Sequence, residues 1–355
     1  MKTKTTMRLE AYIYGTLALA LLSGCTKIEQ REAEPVPVSW QVIQDSPSTK
    51  AEAYNTTDKF LSWAWYLPNG KTWATNRADS QLYINAAEIS FVSGENCWRN
   101  ASVHYYWPKA GALSFFAVSP SSLGSAVTCT AADGIKISNW NVDDNQDKDI
   151  MVADLATDKS ANETAIGAWQ TGVPTVFRHK LSQLVKFEFN TLQDYSSTTK
   201  FYVTGISLNN IKQKGTYVSG AEVGTTSVKM GKWTRDDSAT SSRYNYYDGG
   251  TGGTQIVYNS SSYTQVGSGS IMLLPQSFSN PGENPDWDTT PHLRIDYKVG
   301  SEPKTAQVSL YELFSGELGM NKQITIRVTF NNEGNLIMWA PDQEDWSDSE
   351  FTVIM

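Results

Sequence analysis

The sequence predicts an all-β protein built from antiparallel β-sandwiches, and the chain is long enough for two such domains. Apolar residues recur at every second position in short segments such as 36–42, 61–67, 293–299 and 324–330. Gly, Pro, Asn and Ser separate these segments, which is typical of strands that are joined by turns. Beyond the N-terminal leader no long helical period appears, so the pattern favours packed sheets over packed helices.

The N-terminal leader predicts a lipoprotein signal peptide. Lys2, Lys4 and Arg8 precede an apolar run that ends at Cys25. A basic start followed by a short apolar run is typical of a secretion signal, whereas a bilayer span needs about 20 apolar residues. The tetrapeptide LSGC at 22–25 fits a lipobox, in which the cysteine thiol takes a diacylglycerol. An ordinary secretory signal with a chance cysteine is the alternative.

The leader also predicts how the mature chain begins. Residues 1–24 would be removed, and Cys25 would become the lipid-bearing N terminus. Residues 25–35 are mostly polar and charged, so we expect them to form a tether between the lipid and the folded body. Two or more acyl chains give stable anchoring, and the sequence therefore predicts a bacterial lipoprotein that acts outside the cytoplasm.

The charge of the chain argues against nucleic acid as a partner. The 355 residues include 29 basic and 37 acidic side chains, a net charge of −8. Removal of the leader, which has three basic residues and one acidic residue, leaves 26 basic and 36 acidic side chains and a net charge of −10. No block of basic residues interrupts this acidic excess, and binding of nucleic acid depends on such a block.

A domain boundary is predicted near Gly172. Residues 36–171 would form the N-terminal sandwich and residues 172–355 the C-terminal sandwich. Residues 159–167 are small and polar, as expected of a loop that precedes a boundary. Residues 236–270 are rich in Ser, Gly, Asn and Tyr, so we expect a long surface loop or a hairpin insertion there.

The sequence contains no recognisable catalytic or cofactor-binding motif. There is no Gly-x-Ser-x-Gly, no His-Glu-x-x-His and no phosphate-binding glycine loop. The three histidines are His104, His179 and His292, and His179 falls on the apolar side of a strand start, where a packed, hydrogen-bonded histidine is favoured over a catalytic base. Carboxylate pairs are common in any acidic chain and indicate nothing alone. We therefore expect a non-enzymatic protein without a cofactor.

One acidic segment resembles a calcium-binding loop. Asp143, Asn145, Asp147 and Asp154 would supply oxygen ligands at suitable spacing. Such a loop needs glycine at its sixth position and glutamate at its twelfth, where this chain has Lys148 and Asp154. A solvated acidic turn is the favoured interpretation, and no metal is expected.

Two further residue sets leave alternatives open. Cys97 and Cys129 could form a disulfide in an oxidising compartment, or they could be two buried thiols. Five tryptophans fall near turns, where a flat ring could stack on a sugar, although core packing is the commoner role of tryptophan in a sandwich. These five are Trp73, Trp98, Trp140, Trp169 and Trp233.

Several ordered blocks resemble the fimbrillin-like (Mfa-like) lipoproteins. The segment HYYWPKAGALSFFAVSP at 104–120 resembles the family's YYWP…G…L.FFAY.P block, and DIMVA at 149–153 resembles its DLLVA. The segment FRHKLSQLVKF at 177–187 is similar to F.H.L…V.F, and IMLLPQ at 271–276 is similar to M.L.PQ. Trp346 stands where a late tryptophan recurs. The blocks follow the family's order over most of the chain after the leader.

This resemblance implies a fold, a location and a class of function. It implies two transthyretin-like Greek-key sandwiches after the signal peptide, and an outer-membrane or cell-surface location. It also implies a pilus stalk subunit, an anchor or a tip adhesin, with other pilin subunits as partners. In this family a strand near the mature N terminus is removed by proteolysis after a basic residue. The C-terminal segment of the next subunit then fills the groove by β-augmentation.

The resemblance places these roles on particular residues. Residues 36–43 would be the removable strand. The segment Thr49-Lys50-Ala51 lies where relatives often carry Thr-Arg-Ala, so Lys50 takes the place of the arginine. An arginine-specific protease would not cut after Lys50, and a cut after Arg31 would leave the strand in place. The donor segment would lie at the C terminus, with alternate side chains on one face: Phe351, Val353 and Met355.

The expected function is therefore structural or adhesive. The protein would be a lipid-anchored pilus subunit whose partners are other pilins and, for an adhesin, glycans or proteins of a host or bacterial surface. The alternative is a carbohydrate-binding surface lipoprotein of a nutrient-uptake system.

Overall fold

The computed structural model describes residues 35–44, 54–161, 172–195, 199–223, 231–331, 336–338 and 342–345. The chain divides into two compact units, residues 1–36 and residues 37–355, and every element below belongs to the second. None of the described helices is long and apolar enough to cross a membrane.

Ten of the described strands precede residue 180. They are β1 (Trp40–Gln44), β2 (Lys59–Leu67), β3 (Gln81–Val92), β4 (Cys97–Arg99), β5 (Ala112–Ser119), β6 (Val127–Thr130), β7 (Gly134–Asn141), β8 (Met151–Ala153), β9 (Ala156–Lys159) and β10 (Val173–His179). A short helix α1 (Trp73–Asn76) and 3₁₀ turns at Arg77–Asp79, Ser121–Ala126 and Asp143–Asn145 connect them.

Fifteen described strands follow. They are β11 (Ser182–Thr191), β12 (Phe201–Ile211), β13 (Lys214–Val218), β14 (Lys232–Arg235), β15 (Ser242–Asp248), β16 (Thr254–Ile256), β17 (Thr264–Val266), β18 (Ile271–Leu273), β19 (Gln276–Ser277), β20 (His292–Val299), β21 (Glu302–Ser309), β22 (Glu317–Leu318), β23 (Lys322–Phe330), β24 (Leu336–Met338) and β25 (Asp342–Asp345). A second short helix, α2 (Leu310–Leu313), follows β21.

Seven strands form a hydrogen-bonded ring. Their order is β2-β3-β4-β1-β10-β8-β5, β5 pairs again with β2, and β9 adds to β5. Successive residues of a strand point to opposite faces, so each strand contributes alternate side chains to one core. That core, which we call the ring core, is rich in aromatic residues: Trp40, Tyr54, Phe60, Trp98, Trp107, Phe115 and Phe177.

A four-stranded sheet covers one side of this ring. Its order is β14-β13-β7-β6. Strands β2 and β5 are buried on both faces because their other side chains meet this sheet in a second core. Phe115 faces the ring core, for example, while its neighbour Phe116 packs in the second core. This explains why β5 is an apolar run without alternation.

Two further sheets enclose a third core. One is built on β17-β11-β23-β24 with β18 and β25, and the other on β15-β12-β20-β21 with β16. Their facing side chains, including Phe187, Phe201, Ile295 and Phe330, are almost wholly buried. The predicted alternation at 293–299 and 324–330 is confirmed here as β20 and β23.

The all-β prediction is confirmed, but a purely antiparallel arrangement is wrong at two pairs. β1 runs parallel to β10, and β11 runs parallel to β23. Side chains alternate in the same way in both kinds of pair, so the pattern carries no information about direction. The expected loop at 236–270 also contains three strands, β15 to β17, which pair with β11 and β12.

Hydrogen bonds between strands cross the predicted boundary near Gly172. β10 lies beyond it in sequence and joins the ring through β1 and β8. β13 and β14 also lie beyond it, and they complete a sheet with β6 and β7. The division into domains 36–171 and 172–355 stays a prediction.

Candidate functional site

The predicted removable strand lies in the ring as β1, between β4 and β10. It pairs in parallel with β10 over five residues, from Trp40 opposite Val173 to Gln44 opposite Phe177. Its pairing with β4 is much shorter and consists of Trp40 opposite Trp98. β1 therefore closes the ring, and one of its two edges is held by a single residue pair.

Trp40 anchors this strand in the ring core. Its side chain is 1% exposed and meets the ring of Phe115 edge-on at a centroid distance of 6.0 Å. The indole Nε1–H donates a hydrogen bond to Ser62 Oγ at 3.1 Å, and Ser62 Oγ donates in turn to the carbonyl of Phe116 at 3.1 Å. The indole N–H and the Ser62 hydroxyl both have partners, so burial of Trp40 leaves neither donor unsatisfied.

The backbone that leads into β1 is also held on both sides. The amide of Val38 donates to the carbonyl of Tyr105 at 2.8 Å, and the amide of Val173 donates to the carbonyl of Ser39 at 2.8 Å. Gly172 adopts a φ of +111°, and a Cβ at this position would lie 2.3 Å from the Ser39 carbonyl oxygen. Only glycine allows this approach of the two strands.

Tyr54 fastens the chain on the other side of residues 45–53. Its ring stacks on Phe177 at 5.2 Å and meets Phe60 and Trp98 edge-on. Its hydroxyl lies 2.6 Å from Ser119 Oγ, and burial raises its pKa to about 12. The segment that includes Lys50 is thus flanked by two buried aromatic anchors, Trp40 and Tyr54.

The other residues assigned to processing, lipidation and donation lie outside the described residues. These are Cys25, Arg31, Lys50, Phe351, Val353 and Met355. Before the C-terminal segment, β25 pairs antiparallel with β23, from Asp342 opposite Thr325 to Asp345 opposite Lys322. The chain therefore leaves the described part beside the start of β23.

The acidic segment does not assemble into a calcium loop in this structure. Both carboxylate oxygens of Asp154 accept hydrogen bonds from Arg178, at 2.8 and 3.0 Å. The Asn145 side chain donates to the carbonyl of Asn141 at 2.8 Å, and Asp143 accepts from Ser242. In the described part of the chain, no group of three His, Cys, Asp or Glu side chains is placed to hold a metal ion.

The two described cysteines are free thiols. Cys97 lies on β4 in the ring, and Cys129 lies on β6 in the four-stranded sheet. Burial raises the pKa of both thiols. Both side chains are half-buried and unbonded to each other in this structure, and a pairing of Cys97 with Cys129 stays a prediction.

The tryptophans considered as sugar platforms are core residues. Trp73, Trp98, Trp140 and Trp233 are each less than a tenth exposed, and Trp169 lies outside the described residues. A sugar ring needs an exposed aromatic face, and none of these four supplies one.

Sequence reasoning missed a buried charged cluster where β10 passes into β11. Lys180 is wholly buried, and loss of hydration lowers its pKa to about 7, with Asp154 opposing and Arg178 reinforcing the shift. Next to it, His179 is buried as predicted, with Nδ1 2.6 Å from an oxygen of Asp149. A lysine beside a histidine and an arginine is typical of a solvated strand end, so nothing local indicated its burial.

A family model described as fimbrillin-like matches residues 49–346. The chain belongs to this family. Fimbrillin-like membership indicates a fimbrial or adhesive role at the cell surface, in assemblies with other pilin subunits. The match begins just after β1, so the family model excludes the strand that closes the ring.

One solved structure shares this fold, and two others resemble it more distantly. A fimbrial protein from Bacteroides vulgatus is 16% identical to this chain and superposes on it with a TM-score of 0.59. The alignment covers 88% of this chain and 99% of that protein. A putative cell adhesion protein from Bacteroides uniformis is 17% identical, with coverages of 88% and 99% and a TM-score of 0.49. The fimbrial anchor protein Mfa2 from Porphyromonas gingivalis is 10% identical, with coverages of 88% and 98% and a TM-score of 0.35. A comparison with curated protein sequences found no match.

Proposed function

We propose that this protein is a lipid-anchored structural or adhesive subunit of a pilus that is assembled by donor-strand exchange. The observation that carries the proposal is the position of β1, which closes the ring core between β4 and β10. In the sequence, β1 is connected to Tyr54 only through residues 45–53. A single cut in that segment separates β1 covalently from the rest of the ring.

Loss of β1 would leave a slot with the properties of a β-augmentation site. The facing edges of β4 and β10 would lose their hydrogen-bonding partner. The volume that Val38 and Trp40 now fill would become an empty pocket beside Phe115. An added strand restores the main-chain hydrogen bonds, and its alternate side chains refill the pockets. Phe351, Val353 and Met355 of a neighbouring subunit have the required alternation.

The site of the cut decides what happens to the lipid. A cut after Lys50 removes the lipid on Cys25 together with β1, so the subunit is released and its slot opens in one event. A cut after Arg31 removes the lipid and leaves β1 in the ring. An uncut chain stays on the outer membrane, as an anchor does.

Limited digestion of the acylated, purified protein with a trypsin-like protease tests this proposal. We expect cleavage after Lys50, release of a peptide that contains β1, and formation of oligomers that survive dilution. Lys50→Ala should abolish all three results, whereas Lys136→Ala, which replaces an exposed lysine on β7, should change none of them.

The digestion has two outcomes that contradict the proposal. In the first, the chain is cut after Lys50 and β1 remains bound without any oligomer. In the second, oligomers form equally in the Lys50→Ala protein, which would show that they do not depend on removal of the strand.

A further inference from the structure

Trp287 differs from the other tryptophans of the structure. It lies in the loop 278–291 between β19 and β20, and among the tryptophans in the described part of the chain it is the one that is not buried. The buried indoles of Trp40, Trp73 and Trp233 each donate a hydrogen bond, at 3.1, 2.7 and 2.6 Å. The indole N–H of Trp287 has no partner among the described residues. Trp287 therefore offers both a ring face and a donor to a ligand.

The backbone around Trp287 is fixed before any ligand binds. The Asn210 side chain, at the end of β12, donates to the carbonyls of Trp287 and Thr290 at 3.0 and 3.2 Å. Within the loop, the amides of Thr289 and Thr290 donate to the carbonyl of Asp286 at 3.1 and 2.8 Å. Loops of this length without strands are uncommon and often carry function. Because this loop is already ordered, binding costs little conformational entropy.

A free acceptor lies beside the indole. The rings of Trp287 and His292 meet edge-on with their centroids 5.1 Å apart. His292 Nδ1 lies 2.8 Å from the carbonyl of Thr290, so a neutral ring donates from Nδ1 and accepts at Nε2 from the side-chain amide of Gln307, at 3.3 Å. Gln307 Oε1 then has no partner in the described part of the chain. We call Trp287, His292 and Gln307 the Trp287 platform.

The surroundings of the Trp287 platform suit a neutral sugar better than a protein or an anion. Among the described residues, no exposed large apolar side chain lies between 278 and 309, so the apolar core of a protein interface is missing here. The loop contributes Glu283, Asp286 and Asp288 and contains no Lys or Arg. Its negative charge disfavours sulfated and other anionic ligands.

We propose that the Trp287 platform binds a pyranose ring of a neutral glycan. One face of such a ring presents C–H groups that pack on an indole, and its hydroxyls both donate and accept hydrogen bonds. Trp287 Nε1–H would donate to one hydroxyl and Gln307 Oε1 would accept from another. The proposal goes beyond pilus assembly, since it assigns a ligand and does not depend on removal of β1.

An array of immobilised glycans tests the proposal. Uncut residues 25–355 with Cys25→Ser, which carry no lipid, are applied to neutral chains of glucose, galactose, mannose and N-acetylglucosamine and to their sulfated forms. We expect binding to at least one neutral chain and weaker binding to its sulfated form. Failure to bind every neutral chain would overturn the proposal, and so would equal or stronger binding to the sulfated chains.

Variants of the platform separate stacking from hydrogen bonding. On the neutral chain that binds best, Trp287→Ala should lower the association constant at least about tenfold, because the ring and its donor are both lost. Trp287→Phe keeps a stacking face on His292 and should lower it about threefold, since only the N–H is lost. Tyr258→Ala, which removes an exposed ring elsewhere, should bind as the parent does. Equal binding by Trp287→Ala and Tyr258→Ala would contradict the role of Trp287.

A footprint on the parent chain gives a readout that needs no variant. N-Bromosuccinimide oxidises accessible indoles, and peptide mass spectrometry locates the product at Trp287. A saturating neutral glycan should suppress this oxidation, whereas buried Trp233 should stay unreactive with and without it. Unchanged oxidation of Trp287 would place the glycan elsewhere and overturn the proposal. The chain is uncut throughout, so failure of this binding and failure of strand exchange are distinguishable.

Discussion

At the scale of single residues, Trp40 is the side chain that fixes β1 in the ring core. Its indole fills the ring core and donates to Ser62, which donates to the carbonyl of Phe116. Any strand that replaces β1 has to fill the same volume. The apolar area of Trp40 thus holds β1 in the ring core, and its hydrogen bond to Ser62 sets the position of β1 along its neighbouring strands.

Trp40→Ala should destabilise the protein by about 3–5 kcal/mol, because it opens a large cavity in the ring core. Trp40→Phe keeps most of the apolar contact and loses the donor to Ser62, so a cost of about 1–2 kcal/mol is expected. Urea unfolding of the full chain measures both, and Tyr258→Ala serves as an exposed control. A Trp40→Ala cost as small as that of the control would contradict the role of Trp40 as an anchor.

Lys180 should make stability depend on pH. Its pKa falls from 10.5 in the unfolded chain to about 7 in the folded chain, chiefly because burial removes the hydration of the ammonium group. Between these values the unfolded chain binds more protons, so the free energy of unfolding rises with pH across that window. Below about pH 7 the full penalty remains, on the order of a few kcal/mol.

Lys180→Met removes this penalty and should stabilise the protein most at pH 6 to 7. The advantage over the parent protein should shrink as the pH rises through 10.5, since above that value the lysine is neutral in both the folded and the unfolded chain. Thermal or urea unfolding across this range measures the difference. Lys136→Met, which changes an exposed lysine, should alter the free energy of unfolding by an amount that does not depend on pH in this way. A pH-independent difference between Lys180→Met and the parent protein would refute the lowered pKa of Lys180.

At the scale of elements, β1 is attached unequally along its two edges. It has five register pairs with β10 and one with β4. The approach to β10 depends on Gly172, whose φ of +111° no side chain adopts easily. β1 therefore depends on the backbone of a strand that is more than 120 residues away in sequence.

Gly172→Ala should loosen β1, because the new Cβ meets the Ser39 carbonyl oxygen at 2.3 Å and the backbone is strained as well. Hydrogen exchange measured by mass spectrometry should show faster exchange of the β1 amides. Gly70→Ala is a matched control, since Gly70 also has a positive φ of +81° but no atom near its added Cβ. Equal exchange of β1 in the two variants would mean that the contact with Ser39 does not hold the strand.

At the scale of the whole molecule, the pattern of apolar residues predicted the class of fold and many of its strands. Leu61, Trp63 and Trp65 alternate in the sequence and lie on β2, and Ile324, Ile326 and Val328 lie on β23. Alternation reports local burial of one face of a strand. It does not report the partner of that strand, since either direction and any register preserve the same pattern.

The candidate site was predictable in part. The block resemblance assigned the removable strand to 36–43, and the structure has a strand at Trp40–Gln44 inside the ring. Its parallel pairing with β10, the glycine at 172 and the hydrogen bond from Trp40 to Ser62 depend on residues far apart in the chain. No local pattern contains such information.

Residue types and their spacing were enough to predict an all-β, acidic protein with a lipoprotein-like leader, and the ordered blocks indicated the fimbrillin-like family. These properties depend on short stretches of chain. The folded structure was needed to show that β1 closes a ring, that the four described candidate sugar-binding tryptophans are buried and that Lys180 is dehydrated. Pairing of strands and exclusion of water are set by contacts between distant segments, and they exist only when the chain has folded.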